Sequence, residues 1–290
     1  MGNEIRLVEA RNYLIKGCAA QIYRMGDEFP IDKEGPVDQR RFQIVDAFNK
    51  VFRSQRHKGF NRLALVQPEL VENTLTLRAN GMPDCVVDCD HHGDEITTVT
   101  WEAEVLSVIQ EDASRWISEF MGKDLLFVQK IGDRPINSEY APANATIGFA
   151  DRFPLTSVSQ ETIDKTGVEG SRFRYNLLFS GCNAQDENRM ARFKIGTFIA
   201  TAAKPCGRCP TINVNQDTGE IDMDLLDELY NNSAFRNPYT SEVVVSENNL
   251  IEQPGVVRVG SPVEVLEWSD EGWDRPYNTN HKRQQKIIVS

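Results

Sequence analysis

Positive charge is in short supply in this 290-residue chain, which has 32 lysines and arginines against 43 aspartates and glutamates. The formal net charge is -11, so bulk electrostatics argue against nucleic acid or an anionic membrane surface as a partner. We therefore expect no nucleic-acid binding. An anionic ligand would need a local pocket in which basic side chains are concentrated.

Cysteines and long apolar runs are also scarce. The chain has six cysteines, and no basic segment followed by an apolar run stands at its N-terminus. Both features are typical of proteins from a reducing compartment with free thiols, and we expect a cytoplasmic location, with an organelle as the alternative. No apolar stretch approaches the roughly eighteen residues of a spanning helix, so we expect no membrane span.

Short apolar or alternating segments predict strands along most of the chain. In the first half they occupy residues 14–15, 41–45, 62–66, 74–78 and 96–101. In the second half they occupy residues 175–180, 196–201, 256–260 and 263–266. A polar segment at 231–252 is expected to be a loop that contains one strand.

Three helices are expected between these strands. Residues 112–121 place apolar side chains at three- and four-residue spacing, and Gly122 is a candidate C-cap. Ser159 as N-cap and Gly167 as stop signal enclose a second, short helix, and residues 224–230 predict a third. The predicted fold class is therefore mainly β with some α (α+β).

Two thiols close in sequence are the first candidate site. The segment Cys206-Gly-Arg-Cys209 follows a predicted strand and is expected to form a tight loop. An arginine beside a cysteine stabilises the thiolate, which binds soft metals and attacks electrophiles. Half of a zinc site, a redox pair and chance are alternatives, although four histidines and no second such pair make a four-ligand zinc site hard to complete.

The other cysteines are weaker candidates. Cys85 and Cys89 precede His91 and His92, so metal-binding atoms are close in sequence there, but ordinary packing on one side of a strand is the simpler interpretation. Cys18 and Cys182 are expected to be small core residues. Basic residues at strand starts, such as Arg41 and Arg174, are candidates for gripping an anion, since guanidinium pairs bidentately with phosphate; surface charge is the alternative.

An ordered set of short motifs resembles the MOSC proteins that carry an N-terminal β-barrel domain. In chain order the motifs are Tyr13-Leu-Ile-Lys16-Gly-Cys18, Arg41-Phe-Gln-Ile-Val45, Phe52-Arg-Ser54-Gln-Arg56, Phe149-Ala-Asp151-Arg-Phe-Pro154, Arg172-Phe-Arg174-Tyr-Asn176, Lys204-Pro-Cys-Gly-Arg-Cys209, Asp217-Thr-Gly219 and Val259-Gly-Ser-Pro-Val263. They cover residues 4–267, and their order carries the resemblance more than any single motif does. Within the family the chain most resembles the amidoxime-reducing components and their bacterial counterparts.

The resemblance implies a domain organisation. It implies an N-terminal β-barrel-like domain at residues 1–125 and a MOSC β-barrel domain with short helices at 126–270. Residues 271–290 are polar and charged, and we expect a disordered tail there.

The resemblance also implies a cofactor and its ligands. A molybdenum-molybdopterin cofactor would lie between the two halves, with Cys209 as the metal ligand and a catalytic residue. The implied cofactor-binding residues are Lys16, Arg41, Arg56, Arg174, Asn176 and Arg208 with its surrounding backbone. Asp151 is implied as a second catalytic residue that fixes the pterin or lies near the substrate, and a turn or capping role is an equal alternative.

The implied activity is reduction of N-hydroxylated compounds. Electrons would come from a separate heme or iron–sulfur protein, because no cysteine-rich ferredoxin module follows the MOSC-like part. Two departures from the family pattern bear on the pocket: Gly17 replaces a serine and Tyr175 replaces a proline. The alternatives are a carrier of the cofactor or of sulfur, and a binding module without catalysis if these departures spoil the pocket.

Overall fold

The computed structural model describes residues 4–90, 93–101, 103–136 and 145–274. Most of the predicted tail, from residue 275 onward, lies outside these ranges, as do His91 and His92. The strands are β1 Arg6–Asn12, β2 Gln21–Tyr23, β3 Glu28–Asp32, β4 Gly35–Pro36, β5 Phe42–Asp46, β6 Phe52–Arg53, β7 Gln67–Val71, β8 Thr74–Arg78, β9 Cys85–Asp88, β10 Glu95–Thr100, β11 Ala103–Ile109, β12 Leu125–Lys130, β13 Leu155–Ser159, β14 Leu177–Ser180, β15 Met190–Ile195, β16 Phe198–Gly207, β17 Val244–Gln253, β18 Gly255–Arg258 and β19 Glu264–Trp268. The α-helices are α1 Glu111–Met121, α2 Gln160–Thr166 and α3 Leu225–Asn231.

The strands form four sheets, and the two ends of the chain share them. The largest sheet has the order β19-β15-β16-β17-β13-β14-β1-β2, and a five-stranded sheet has the order β10-β11-β12-β5-β6. Two three-stranded sheets have the orders β18-β3-β4 and β7-β8-β9. Because β1 pairs with β14 and β3 pairs with β18, early strands are hydrogen-bonded into the second half. These pairings bring loops from both halves together.

The mainly β prediction with some helix is confirmed. The helix limits follow local capping chemistry: Gly122 and Gly167 end α1 and α2 in the left-handed conformation, with φ values of 62° and 75°. The Ser159 hydroxyl accepts a hydrogen bond from the backbone N–H of Thr162 at the start of α2. The third helix begins after Asp224, which caps the backbone N–H of Asp227.

Two local predictions were wrong. Residues 62–66 were expected to be a strand, but Asn61–Leu65 forms a 3-10 helix that buries Leu63 and Ala64. A short apolar run has no period that separates a strand from a buried helical turn, and tertiary packing decided between them. The two thiols were expected on one tight loop, but β16 continues to Gly207, so Cys206 is a strand residue and only Cys209 lies beyond it.

No described helix has both the length and the apolar character required to span a bilayer.

Candidate active site

A cleft lies where loops of both halves meet. The first half contributes the segment after Ile15, the turn before β5 and the turn after β6, and the second half contributes the segment before β13 and the end of β16. The lining residues are Lys16, Gly17, Gln39, Arg40, Ser54, Gln55, Arg56, Asp151, Arg152, Phe153, Thr156, Arg174, Asn176, Cys206, Gly207, Arg208, Cys209, Thr211 and Asn248.

The charge of this cleft is opposite to that of the whole chain. Six lining residues are cationic, namely Lys16, Arg40, Arg56, Arg152, Arg174 and Arg208, whereas Asp151 is the single acidic one. The chain as a whole has a formal charge of -11. Concentrating cations in one partly enclosed site of an acidic protein favours an anionic ligand there.

Several polar atoms around the cleft are buried without a hydrogen-bond partner among the described residues. They are Nε of Arg40, Oγ of Ser54, Nε of Arg56, one terminal nitrogen of Arg174 and Nε of Arg208. Buried donors are normally satisfied, and leaving one unpaired costs about 1–3 kcal/mol. Their convergence on one cleft indicates that acceptor atoms of a ligand belong there.

Asp151 is the centre of an ion cluster at one wall of the cleft. One carboxylate oxygen contacts Nζ of Lys16 and the other contacts the guanidinium of Arg56. The indole N–H of Trp101 also donates to Asp151, at 3.2 Å, and Lys16 donates to the backbone carbonyl of Phe149 at 2.8 Å. The cluster therefore connects four separate segments of the chain.

The cluster fixes the protonation of its members. Burial alone would raise the pKa of Asp151, but the positive charges of Lys16 and Arg56 outweigh it and hold that pKa well below its usual range. Burial lowers the pKa of Lys16 to about 7, against the raising effect of Asp151. At neutral pH Asp151 is thus a carboxylate that accepts hydrogen bonds, whereas Lys16 can exchange a proton.

Arg174 lies at the base of the cleft, with a backbone φ of 49°. Its guanidinium stacks on the ring of Tyr13 at 4.2 Å and donates to the side-chain oxygen of Gln216 at 3.0 Å. Gln216 in turn exchanges two side-chain hydrogen bonds with Gln55, at 2.8 and 3.1 Å. Burial lowers the pKa of Arg174 to about 10, so it stays charged at neutral pH.

The two thiols occupy different environments. The guanidinium of Arg208 donates to the sulfur of Cys206 at 3.0 Å and to the carbonyl of Phe173. The thiol of Cys209 lies 3.3 Å from the hydroxyl of Thr211, at the start of a 3-10 helix that runs from Pro210 to Asn213. Cys209 is partly exposed in the cleft, so its sulfur is open to a ligand.

Arg41 is the predicted site residue that the structure does not bring to the cleft. Its guanidinium pairs with Asp38 at 3.0 Å and it is not a lining residue, whereas its neighbour Arg40 is. The physical reason is local: Arg40 has a φ of 51° in the turn before β5, and successive side chains entering a strand point to opposite faces.

Asn176 lines the cleft, but its amide is already engaged. Its side-chain oxygen accepts from the backbone N–H of Thr156 at 3.0 Å, and its nitrogen donates to the carbonyl of Arg11 at 3.0 Å and to Gln39. Asn176 therefore ties together segments that form the cleft wall. The backbone N–H of Arg208 is likewise used, by the carbonyl of Val243 at 2.8 Å.

The sequence analysis missed several lining residues, among them Arg40, Gln55, Arg152, Thr156 and Asn248. Arg40 is adjacent to a predicted residue, and Gln55 lies inside a recognised motif, so proximity was an available signal for both. Asn248 lies in the middle of β17, within a segment expected to be mostly loop. Nothing in its local sequence distinguishes it from a solvent-exposed asparagine.

The two departures from the family pattern have local explanations. Gly17 has a φ of +92°, and a Cβ there would lie 3.1 Å from Cα of Ser54, so a serine would be strained and crowded. Ser54 itself supplies a hydroxyl to the cleft. Tyr175 is buried away from the cleft, where its hydroxyl donates to Glu9 at 2.7 Å and its ring packs against Arg11.

The remaining cysteines give no metal centre in the described part of the chain. Cys18, Cys85 and Cys89 are buried, and Cys182 is partly buried. No group of three or more histidine, cysteine or acidic side chains is arranged around a common point within the described ranges. The proposed partners of Cys85 and Cys89, His91 and His92, lie outside those ranges.

Two family models match the chain. The MOSC N-terminal beta barrel domain matches residues 5–124, and the MOSC domain matches residues 144–264. The chain belongs to the MOSC family. The resemblance that the ordered motifs indicated is confirmed, and the cleft lies between segments that the two models match.

Relatives of this MOSC protein are similar at low identity. The human molybdenum cofactor sulfurase is 24% identical over 303 residues, covering 93% of this chain and 33% of that protein. Mitochondrial amidoxime-reducing component 1 of Mus musculus is 24% identical over 233 residues, covering 71% of this chain and 66% of that protein. The chain thus spans about a third of the length of the human sulfurase. Among solved structures, the YUAD protein of Bacillus subtilis covers 92% of this chain at 12% identity with a TM-score of 0.38, covering 97% of that chain.

Proposed function

We propose that this MOSC protein is a molybdenum-cofactor-dependent oxidoreductase that reduces N-hydroxylated compounds. The observation that carries the proposal is the cleft itself, where six cations surround a partly exposed thiol. Several of these cations have buried nitrogen atoms with no partner among the described residues. A thiolate suits a soft metal, and guanidinium groups suit the phosphate of a pterin.

The residues fit the cofactor. Cys209 would hold the metal, and Arg40, Arg174 and Lys16 would hold the anionic end of the pterin, with Ser54 as a hydroxyl donor. The bound group supplies two-electron redox chemistry at a metal that accepts the oxygen of the substrate. Cys206 is bonded to Arg208, so we assign it to shaping the loop.

The chain's own residues then handle protons and water. Reduction of an N–OH group to N–H consumes electrons from the donor and protons, and it releases water. Asp151 stays a carboxylate and fixes Lys16 and Arg56, whereas Nζ of Lys16, with a pKa of about 7, can deliver a proton and be reprotonated at neutral pH. We further propose a separate heme or iron–sulfur protein as the electron donor.

A second candidate function is a carrier of the cofactor or of sulfur. The specific observation in its favour is that several relatives, including the human one, are named molybdenum cofactor sulfurase. The same cleft would serve this function, since a carrier also needs the cations and the thiol. The two functions differ in what happens after loading, which is turnover of a substrate or transfer to an acceptor.

The test is metal content followed by activity. The protein is purified from cells able to make the cofactor, and molybdenum, zinc and the oxidised pterin are quantified. We expect near-stoichiometric molybdenum with pterin, and reduction of hydroxylamine or benzamidoxime when a chemically reduced dye supplies electrons. Zinc or no metal would overturn the cofactor assignment. Loaded protein that reduces neither substrate but activates an acceptor enzyme would favour the carrier.

A further inference from the structure

Trp101 is held in a backbone conformation that its side chain does not favour. Strands β10 and β11 form a hairpin whose last pair is Thr100 with Ala103, so the turn contains only two residues. Trp101 has a φ of 58°, in the left-handed region. Such tight turns prefer asparagine or glycine, and a bulky residue there costs on the order of 1 kcal/mol or more.

The strained turn places the indole against the ion cluster of the cleft. Its N–H donates to Asp151 at 3.2 Å, and the guanidinium of Arg56 lies 4.7 Å from its ring centre. The ring of Phe52 lies 5.7 Å away on another side. A hairpin tip from the first half thereby contacts Asp151, which belongs to the second half. Asparagine, the residue typical of this turn, would make none of the ring contacts.

Part of the indole remains open. Trp101 is 37% exposed, although it is in contact with three neighbours that order it. An ordered, partly exposed aromatic ring beside a binding cleft offers a flat apolar surface at little further cost in conformational entropy. Stacking of a flat ligand group on an aromatic side chain is worth about 1–3 kcal/mol.

We propose that Trp101 is a specificity-determining residue, which forms an aromatic wall for N-hydroxylated substrates whose N–O group is attached to a flat ring system. This inference rests on the proposed function and adds the substrate class to it. A small substrate such as hydroxylamine has no ring to stack on the indole. The wall therefore discriminates between aryl amidoximes and hydroxylamine, whereas the ion cluster serves both.

The test compares Trp101→Asn, Trp101→Phe and the native protein, each loaded with cofactor. Asparagine tolerates the left-handed φ, so the turn is kept while the ring is removed; phenylalanine keeps a ring but lacks the N–H donor. Trp268→Asn, at an exposed position of β19, is the matched control. Binding of benzamidoxime is measured without an electron donor, and KM is measured for benzamidoxime and hydroxylamine with one.

We expect Trp101→Asn to weaken benzamidoxime binding about tenfold, the change that about 1.4 kcal/mol produces, and to raise the KM ratio of benzamidoxime to hydroxylamine by a similar factor. Trp101→Phe should retain most of the preference, and Trp268→Asn all of it. An unchanged ratio in Trp101→Asn, an equal loss in Trp101→Phe, or no benzamidoxime binding by the native protein overturns the inference. Binding that depends on Trp101 without any reduction would instead sink the proposed function and leave the wall standing.

Discussion

The guanidinium of Arg208 lies 3.0 Å from the sulfur of Cys206, and it does not bond to the sulfur of Cys209. The same guanidinium contacts the carbonyl of Phe173 and lies 5.9 Å from the ring of that residue. Cys206 is thereby tied into the loop that carries both thiols. Cys209, which bonds only to Thr211 through its side chain among the described residues, keeps its sulfur available.

This asymmetry predicts different outcomes for two alanine variants. Cys209→Ala should fold normally and lose nearly all molybdenum, because no other thiolate faces the same point of the cleft in the described part of the chain. Cys206→Ala should keep most of the metal and lose some stability, since Arg208 loses a partner. Elemental analysis alongside chemical unfolding checks both. Equal molybdenum content in the two variants would contradict the assignment of Cys209.

Local signals were sufficient for much of the fold. Gly122, Gly167 and Ser159 set the limits of two helices through hydrogen bonds and backbone angles within a few residues of themselves, and such features can be read from a short window. The alternation at residues 74–78 likewise predicted β8 with its observed bounds. The pairing of β1 with β14 depends on residues far apart in sequence, so no local pattern reveals it.

The site was predictable where a motif fixed both type and position. Lys16, Arg56, Asp151, Arg174 and Cys209 were predicted from motifs scattered over the chain, and all five line one cleft. The choice between adjacent arginines failed, since the orientation of each depends on a left-handed turn residue. Nor did any local signal distinguish the pairing of Gln55 with Gln216 or the presence of Asn248.

Arg40 and Arg41 provide a matched pair of variants for cofactor retention. Arg40→Gln removes a cation that lines the cleft and whose Nε is buried without a partner among the described residues. Arg41→Gln removes one that pairs with Asp38 outside it. A hydrogen bond to a charged group is worth about 1.5–3 kcal/mol, so we expect at least about tenfold weaker retention of pterin in Arg40→Gln.

The measurement is pterin and molybdenum per protein after gel filtration. Arg41→Gln should stay close to the native value, because exposed ion pairs contribute little. Greater loss in Arg41→Gln than in Arg40→Gln would show that the cofactor contacts run along the other face of this turn.

Restoring the family's serine at position 17 should destabilise the protein. Gly17 has a φ of +92°, and a Cβ would come within 3.1 Å of backbone Cα of Ser54. Gly26 has a similar φ of +95° with no atom within 4 Å of a Cβ. Gly17→Ala and Gly26→Ala therefore share the backbone penalty, and their difference isolates the crowding.

We expect urea unfolding to give a loss of about 1–3 kcal/mol for Gly17→Ala or Gly17→Ser. The loss for Gly26→Ala should be smaller. If both alanine variants lose the same free energy, the loop around Ser54 relaxes freely and the crowding explanation fails.

Glu187 should make the stability of the protein depend on pH. Its side chain is buried, accepts hydrogen bonds from Ser159 at 2.9 Å and Thr162 at 3.0 Å, and has a second oxygen without a partner among the described residues. Burial raises its pKa to about 7 from the ordinary value of 4.5, against the lowering effect of those hydroxyls. Between these two values the folded chain holds a proton that the unfolded chain has released.

The sign follows from that difference in bound protons. Stability decreases as the pH rises from about 4.5 to about 7, because the folded state binds more protons in this window; above it, the cost of ionising a buried carboxyl is fully present. Glu187→Gln, which keeps the shape without a charge, should therefore match the native protein near pH 4.5 and exceed it by up to about 3 kcal/mol at pH 8. Glu228→Gln, at an exposed position of α3, is the control and should follow the native curve. Free energies of unfolding in urea at pH 4.5, 6 and 8 decide the matter, and a Glu187→Gln variant that parallels the native protein across this range would mean that the buried carboxyl is already ionised at pH 4.5.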